Sequence, residues 1–130
     1  VVYPIVNMRA WGGPVKYVRA LEQVVIATLT GMGITATCES GTTGVWTDQG
    51  KIDAIGVKIT RGSAFHGFAL NVNTNLAYYN NIIPCGIADR PVTSMSAILG
   101  QSVDMEQVRY GLVYQFGREF GFRMEDWALT

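Results

Sequence analysis

No sign of charge prevails in this sequence: ten basic and ten acidic residues cancel at neutral pH. A nucleic-acid surface, which needs a basic excess, is therefore not expected. Histidine occurs once, and no Cys/His cluster has ligand spacing, so no metal site is expected. The two cysteines, Cys38 and Cys85, are too few for a disulfide framework and fit a reducing, cytoplasmic setting. The longest apolar-leaning run, Val24 to Ile34, is broken by Thr28, Thr30, Gly31 and Gly33. It falls short of the ~20 residues that cross a bilayer, so no membrane partner is expected. Repeats, linkers and low-complexity tracts are missing, and no glycine-rich loop opens a helix as a nucleotide-phosphate site would. Neither an initiator methionine nor a secretory leader precedes "VVYPIV", which reads as a processed chain or the C-terminal part of a longer one.

What is present is a core. Hydrophobic residues make up 48% of the 130 positions and charged residues only 15%, as expected for one ordered domain over residues 1–130. "VVYPIVNM" is β-prone but holds Pro4, which suits an edge strand. Pro14 opens a run in which Val15, Val18, Leu21, Val25 and Leu29 recur at helical spacing, predicting a helix from about Pro14 to Thr30. Three β-rich pieces follow: "ITATCES", "GVWTDQGKIDAIGVKIT" with a hairpin turn at Asp48-Gln49-Gly50, and "SAFHGFALNVN". In the second, the apolar parity changes between Ala54 and Ile55, just before Gly56, and predicts a β-bulge or a close approach by a ligand there. In the third, His66, Phe68, Leu70 and Val72 share one face, and Gly67, Ala69 and Asn71 the other. "SMSAILG" reads as a short helix. Asp104 reads as the N-cap, with Gln107 three residues on as in a capping box, of a helix carrying Val108, Leu112, Phe116 and Phe120 and stopped at Gly121. Helix, strand meander and helices make an α+β domain.

Three residues carry candidate chemistry. Cys85 stands between Pro84 and Gly86 in a turn-prone stretch, either as a small loop residue or as a presented nucleophile. A thiol near ~8.5 is only a few per cent thiolate at neutral pH, so a nucleophile needs a neighbouring cation. Lys51 opens an apolar strand after a glycine turn; a solvated charge at a strand mouth would look the same, and Lys58 lies in the same strand. His66, on an apolar face, is most simply a core histidine. A Ser94, His66 and Asp89 triad can be assembled on paper, but many chains allow that. Cys38, in a β-prone run, reads as a packing residue.

The order "GVW…GKIDAIGVKITR…FHGFALNVN…YYNNIIPCGI…TSM" resembles the lipoyl (octanoyl) transferases, over nearly the whole chain. The resemblance implies the α+β fold of biotin/lipoate protein ligases, a mixed sheet packed against helices, and a cysteine/lysine acyltransferase that uses no cofactor. It implies that Cys85 carries the acyl group and that Lys51 lowers the thiol's pKa and acts as base. Ala54, Ile55 and Gly56 in one strand and Gly67, Phe68 and Ala69 in the other would line the acyl site, with His66 forming part of the pocket. Octanoyl-acyl carrier protein would be the donor. Lipoyl domains of 2-oxoacid dehydrogenases and glycine cleavage H-type proteins would be the acceptors. The family's upstream Arg-Gly-Gly-x-x-Thr-x-His-Gly-Pro-Gly-Gln segment is not in this sequence, so the domain is expected to be N-terminally truncated, with its pocket short of one wall. An ATP-dependent lipoate- or biotin-protein ligase, and a non-catalytic binding module of the same fold, are the competing readings.

Overall fold

Pro14 supplies a fixed φ where the first helical N–H has no partner to lose, and the helix it opens, α1, runs Pro14–Gly31. A computed structural model of the chain describes residues 1–7, 12–39, 41–60, 63–77 and 91–124, the side chains of 7, 57–60 and 63–66 excepted. Four strands, β1 (Val6–Asn7), β2 (Val45–Thr47), β3 (Gly50–Thr60) and β4 (Ser63–Leu70), make one sheet in the order β1-β4-β3-β2. A short helix α2 (Met95–Leu99) and a long one, α3 (Met105–Phe120), complete the described chain. The architecture is α+β. All named strand pairs are antiparallel, and the parallel component among the described residues is a single bridge between Lys51 and Val92.

The helices cover one face of the sheet because their apolar stripes match it. In α1 the buried set is Tyr17, Ala20, Leu21, Val24, Val25, Thr28 and Leu29, a spacing of three and four, with Glu22 buried among them. Val15, expected in that stripe, is 74% exposed: the stripe starts at Tyr17, half a turn later. Helix α3 buries Val108, Leu112 and Phe120 as its four-residue recurrence requires, and Phe116 stacks on Phe120 at 4.3 Å between ring centroids. Its Gly111 lets α1 come close; an added methyl there would stand 3.1 Å from Thr28 Cγ2. Asp104 caps α3 by accepting from the Glu106 N–H at 2.9 Å, and Gly121 ends it in the left-handed conformation.

The hairpin at Asp48-Gln49 pairs Thr47 with Gly50, as expected from the turn residues. "ITATCES" does not become a full strand. It contributes one bridge, Thr37 to Trp46, because β2 is only three residues long and offers little edge to pair with. The bulge expected at Ala54 to Gly56 is also displaced. Register between β3 and β4 runs unbroken from Asp53–Leu70 to Thr60–Ser63, and the shift falls instead between β3 and β2. Val45 faces Asp53 and Trp46 faces Lys51, so one step of β2 answers two of β3. Counting Ala54 as a core residue misplaced the parity change; Ala54 is exposed, while Ile52 and Asp53 are both buried.

The segment with Pro4 does form an edge. Val2 exchanges both backbone hydrogen bonds with Phe68, at 2.9 and 3.1 Å, and β1 continues the pairing. This strand crosses so near β4 that a methyl on Gly67 would collide with the Val2 carbonyl and stand 2.7 Å from Pro4 Cδ. Gly67→Ala should therefore detach the first residues from the sheet and cost roughly 1–3 kcal/mol of stability. Hydrogen exchange checks this. Protection of the Val2 and Phe68 N–H groups should fall selectively, and unchanged protection would refute the close approach.

Candidate functional site

The register shift decides which way Lys51 points. Residues directly opposite in an antiparallel pair share a face, and successive residues alternate. Asp53 goes with Val45 toward the helices, and Lys51 goes with Trp46 to the other side. Ala54 and Gly56, and across from them Ala69 and Gly67, lie on that second face, since Asp53, Ile55, Phe68 and Leu70 occupy the first. Without the extra residue, Lys51 would share a face with Asp53. With it, Lys51 stands at the mouth of a surface paved with small residues.

That surface is open along its middle. Ala54, Gly56 and Ala69 are exposed, and a methyl added at Gly56 would meet nothing within 4 Å. Gly67 is roofed by Val2 and Pro4. Phe68 belongs to the opposite side, 3% exposed in the core, with Ile55 packed against the same cluster. The six strand residues named from the resemblance thus fall on two faces: four small residues on one, Ile55 and Phe68 on the other. His66 lies on β4 opposite Val57, and its side chain is outside the described set.

Lys51 is held on several sides. Its ammonium nitrogen sits 5.2 Å from the centroid of the Trp46 ring, a cation–π distance. Gly44 abuts its stem: a methyl there would come within 2.8 Å of Lys51 Cε and 2.8 Å of the Asp53 carbonyl oxygen. The Lys51 backbone is clamped too. Its N–H donates to the Pro91 carbonyl at 3.0 Å, and its carbonyl accepts from the Thr93 N–H at 2.8 Å. Gly50, at φ 129°, makes room for this contact, because a methyl there would stand 2.6 Å from the Pro91 oxygen. The strand end bearing Lys51 is therefore tied to a segment that begins six positions after Cys85 in the sequence. Cys85 itself, like Asp89, lies outside the described residues.

The other candidates have structural occupations. Ser94, 1% exposed, caps α2 by accepting from the Ala97 N–H at 3.1 Å. Cys38 is a free, half-buried thiol with the Gln23 amide 3.9 Å from its sulfur. Among the described residues no group of three His, Cys, Asp or Glu gathers as a metal site, and no helix is long and apolar enough to cross a membrane. An apolar cavity of about 500 Å³ lies on the helix side of the sheet, between Val2, Pro4, Val24, Phe68, Leu112 and Phe116.

Sequence reasoning passed over two acids behind Lys51. Asp53 is 1% exposed, and neither carboxylate oxygen has a hydrogen-bond partner. Burial pushes its pKa up to about 8; the Lys51 charge pulls down and the Glu22 carboxylate pushes further up. Glu22, fully buried on α1, is satisfied: it accepts from Arg19 at 2.7 Å and from the Gly44 N–H at 3.0 Å. The signal was available in each case, as an Asp inside an apolar strand and a Glu beside the apolar stripe of a helix.

Residues 1–117 match the family described as the lipoyl protein ligase A/B catalytic domain. An octanoyltransferase of Koribacter versatilis is 47% identical over 121 residues, covering 88% of this chain and 48% of its own length. One from Thermosynechococcus vestitus is 42% identical over 131 residues, covering 100% of this chain and 58% of its own. The chain thus spans about half the length of the relatives it matches. Among solved structures, biotin protein ligase from Aquifex aeolicus superposes with a TM-score of 0.73 at 18% identity, over 92% of this chain and 51% of that one. Lipoate-protein ligase A bound with ATP gives 0.70 at 18%, over 87% of this chain and 49% of that one. At such identity these two share the fold.

Asp53 gives the site a pH signature. Its folded pKa is raised, so folding holds a proton that the unfolded chain releases above the usual 3.8. Its contribution is whole below about pH 4, drains as pH rises, and levels off beyond about 8. Within that window the slope approaches about 1.4 kcal/mol per pH unit. Asp53→Asn cannot ionise, so its stability relative to the parent should grow from pH 5 to pH 8. Urea denaturation at several pH values measures it, and a difference independent of pH would mean that Asp53 ionises normally in the folded chain.

Proposed function

Because the chain belongs to the lipoyl protein ligase A/B catalytic domain family, we propose that it forms the thioester-making half of an octanoyltransferase. It takes an octanoyl group from octanoyl-acyl carrier protein and passes it to a lysine of a lipoyl domain, in the reducing cytoplasm. What supports the reading is the position of Lys51: at the mouth of an open small-residue face, its backbone bonded to the segment that follows Cys85 by six residues.

The Cys85 thiolate, favoured by the Lys51 cation, attacks the carbonyl of the donor thioester. A bond from Cys85 sulfur to the acyl carbon forms, the carbon–sulfur bond to the carrier breaks, and the carrier leaves as a thiol with a proton from Lys51. The acceptor lysine, as free amine, then attacks the Cys85 thioester. An amide bond forms, the Cys85 thiolate departs, and the now neutral Lys51 takes the amine's proton. Ala54, Gly56 and Ala69 leave room for an extended eight-carbon chain, which bulkier side chains would fill. Trp46, beside the ammonium, offers that chain an apolar flank. In the same reading His66 shapes the pocket and moves no proton.

The deciding measurement is intact mass after incubation with octanoyl-acyl carrier protein and no nucleotide. One octanoyl adduct should appear, absent in Cys85→Ser and retained in Cys38→Ser. No adduct, with a lipoyl domain modified only when the free acid and ATP are supplied, would favour a ligase, and no adduct with no modified domain under either condition would favour a binding module. Lys51→Ala should slow alkylation of Cys85 by iodoacetamide at neutral pH by tenfold or more, on the order of one pKa unit in the thiol, while Lys58→Ala changes it little. Identical alkylation profiles with and without Lys51 would dissolve the dyad.

A further inference from the structure

Glu22 is an expensive residue to bury. It is completely inaccessible, on a helix face otherwise made of Leu21, Val24 and Val25. A carboxylate there costs several kcal/mol unless it is well paired. Only one of its two partners belongs to its own helix. Oxygen Oε1 takes the Arg19 guanidinium at 2.7 Å, and Oε2 reaches across 22 residues to the backbone N–H of Gly44. Gly44, at φ 124°, is the residue whose α-carbon abuts the Lys51 stem, and it leads through Val45 into Trp46, whose ring lies under the ammonium. One carboxylate therefore fixes the start of the wall against which Lys51 rests.

We propose that Glu22 is a positioning residue for Lys51, acting through the Gly44 N–H to hold Gly44 and Trp46 against the lysine side chain. The inference rests on the reading of Lys51 as the site's amine, and it concerns where that amine is held. Arg19 has a supporting part. It orients the Glu22 carboxylate, and it also donates to the Glu39 carbonyl at 3.1 Å, binding the segment before Gly44 to α1. The wall could not be bonded directly to a bulkier residue at 44. A side chain there would occupy the space of Lys51 Cε, so the anchor must come from the backbone.

The sequence has three lysines, Lys16, Lys51 and Lys58, so reductive ¹³C-methylation gives three lysine resonances beside that of the N-terminal amine, assignable with single Lys→Arg variants. The Lys51 methyls should be shifted upfield by the Trp46 ring, a shift that Trp46→Leu removes. Two variants then separate reach from charge. Glu22→Gln keeps an acceptor for the Gly44 N–H and loses the charge; the Lys51 resonance should stay in place. Glu22→Asp keeps the charge but withdraws the acceptor by about 1.5 Å, and the ring shift should be lost. A general loss of packing would not single out one lysine or follow reach over charge. A folded Glu22→Asp with the shift intact overturns the proposal. If Glu22→Asp does not fold, the Gln variant decides alone, since a displaced Lys51 resonance in folded Glu22→Gln overturns it equally. Where transfer is measured, Glu22→Asp should lower kcat about a hundredfold with KM nearly unchanged, as a misplacement of ~1 Å does. The resonance is read without any transfer, so failure of the thioester reading and failure of this one are seen in different spectra.

Discussion

One extra residue in β3 organises this molecule. Because β3 advances two positions while β2 advances one, Ile52 and Asp53 are both turned into the core, and Lys51 emerges on the opposite face. A strand with strict alternation would put Lys51 and Asp53 on one face, burying the lysine beside the acid or exposing the acid beside the lysine. Burying Lys51 would cost its desolvation, and exposing Asp53 would put a second charge on the lysine's face. The irregularity keeps the cation and the acid on separate sides of a single sheet. They remain near enough for the Lys51 charge to act on Asp53.

Close backbone approaches make the irregularity possible. Gly50 admits the Pro91 carbonyl and Gly44 admits the Lys51 stem, each at a positive φ that other residues rarely adopt. Both are needed because Lys51 sits where three chain segments meet: the β2 hairpin, the return from β4 at Asn71, and the stretch from Pro91 to Thr93. Asn71 joins the last two, its N–H donating to Ile52 at 2.9 Å and its amide to Thr93 at 3.2 Å. Residues 91–93, which begin six positions after Cys85 in the sequence, are pinned by these bonds.

The legible parts of the fold were those with local causes. Helices α1 and α3 end where Pro14, Asp104 and Gly121 say they should, because caps and apolar spacing act within one or two turns. The hairpin at Asp48-Gln49 was equally plain. The parity change of β3 was seen but placed two residues too late, since Ala54 counts as apolar in a pattern and yet is exposed. Small residues on an open face and small residues in a core look alike in a sequence. Glu22 and Asp53 were legible only as acids in apolar surroundings, and their role was not. Their significance depends on a helix–strand contact between residues far apart in the chain, and no local pattern announces which partner a buried acid will find.

The division of the sheet also separates stability from chemistry. On the helix side, Phe68, Leu70 and Ile55 pack against α1 and α3, and the apolar burial that stabilises the domain is concentrated there. On the other side Ala54, Gly56 and Ala69 contribute almost no contact area, so that face can accept a chain without first giving up packing. Lys51 and Trp46 stand at one end of it, against a wall that is bonded to α1 through Gly44 and Glu22. Substitutions on the open face should therefore alter what it accommodates more than whether the domain folds. Substitutions at Glu22 or Asp53, although buried on the stable side, act on both. The two acids are where the core and the site are mechanically the same structure.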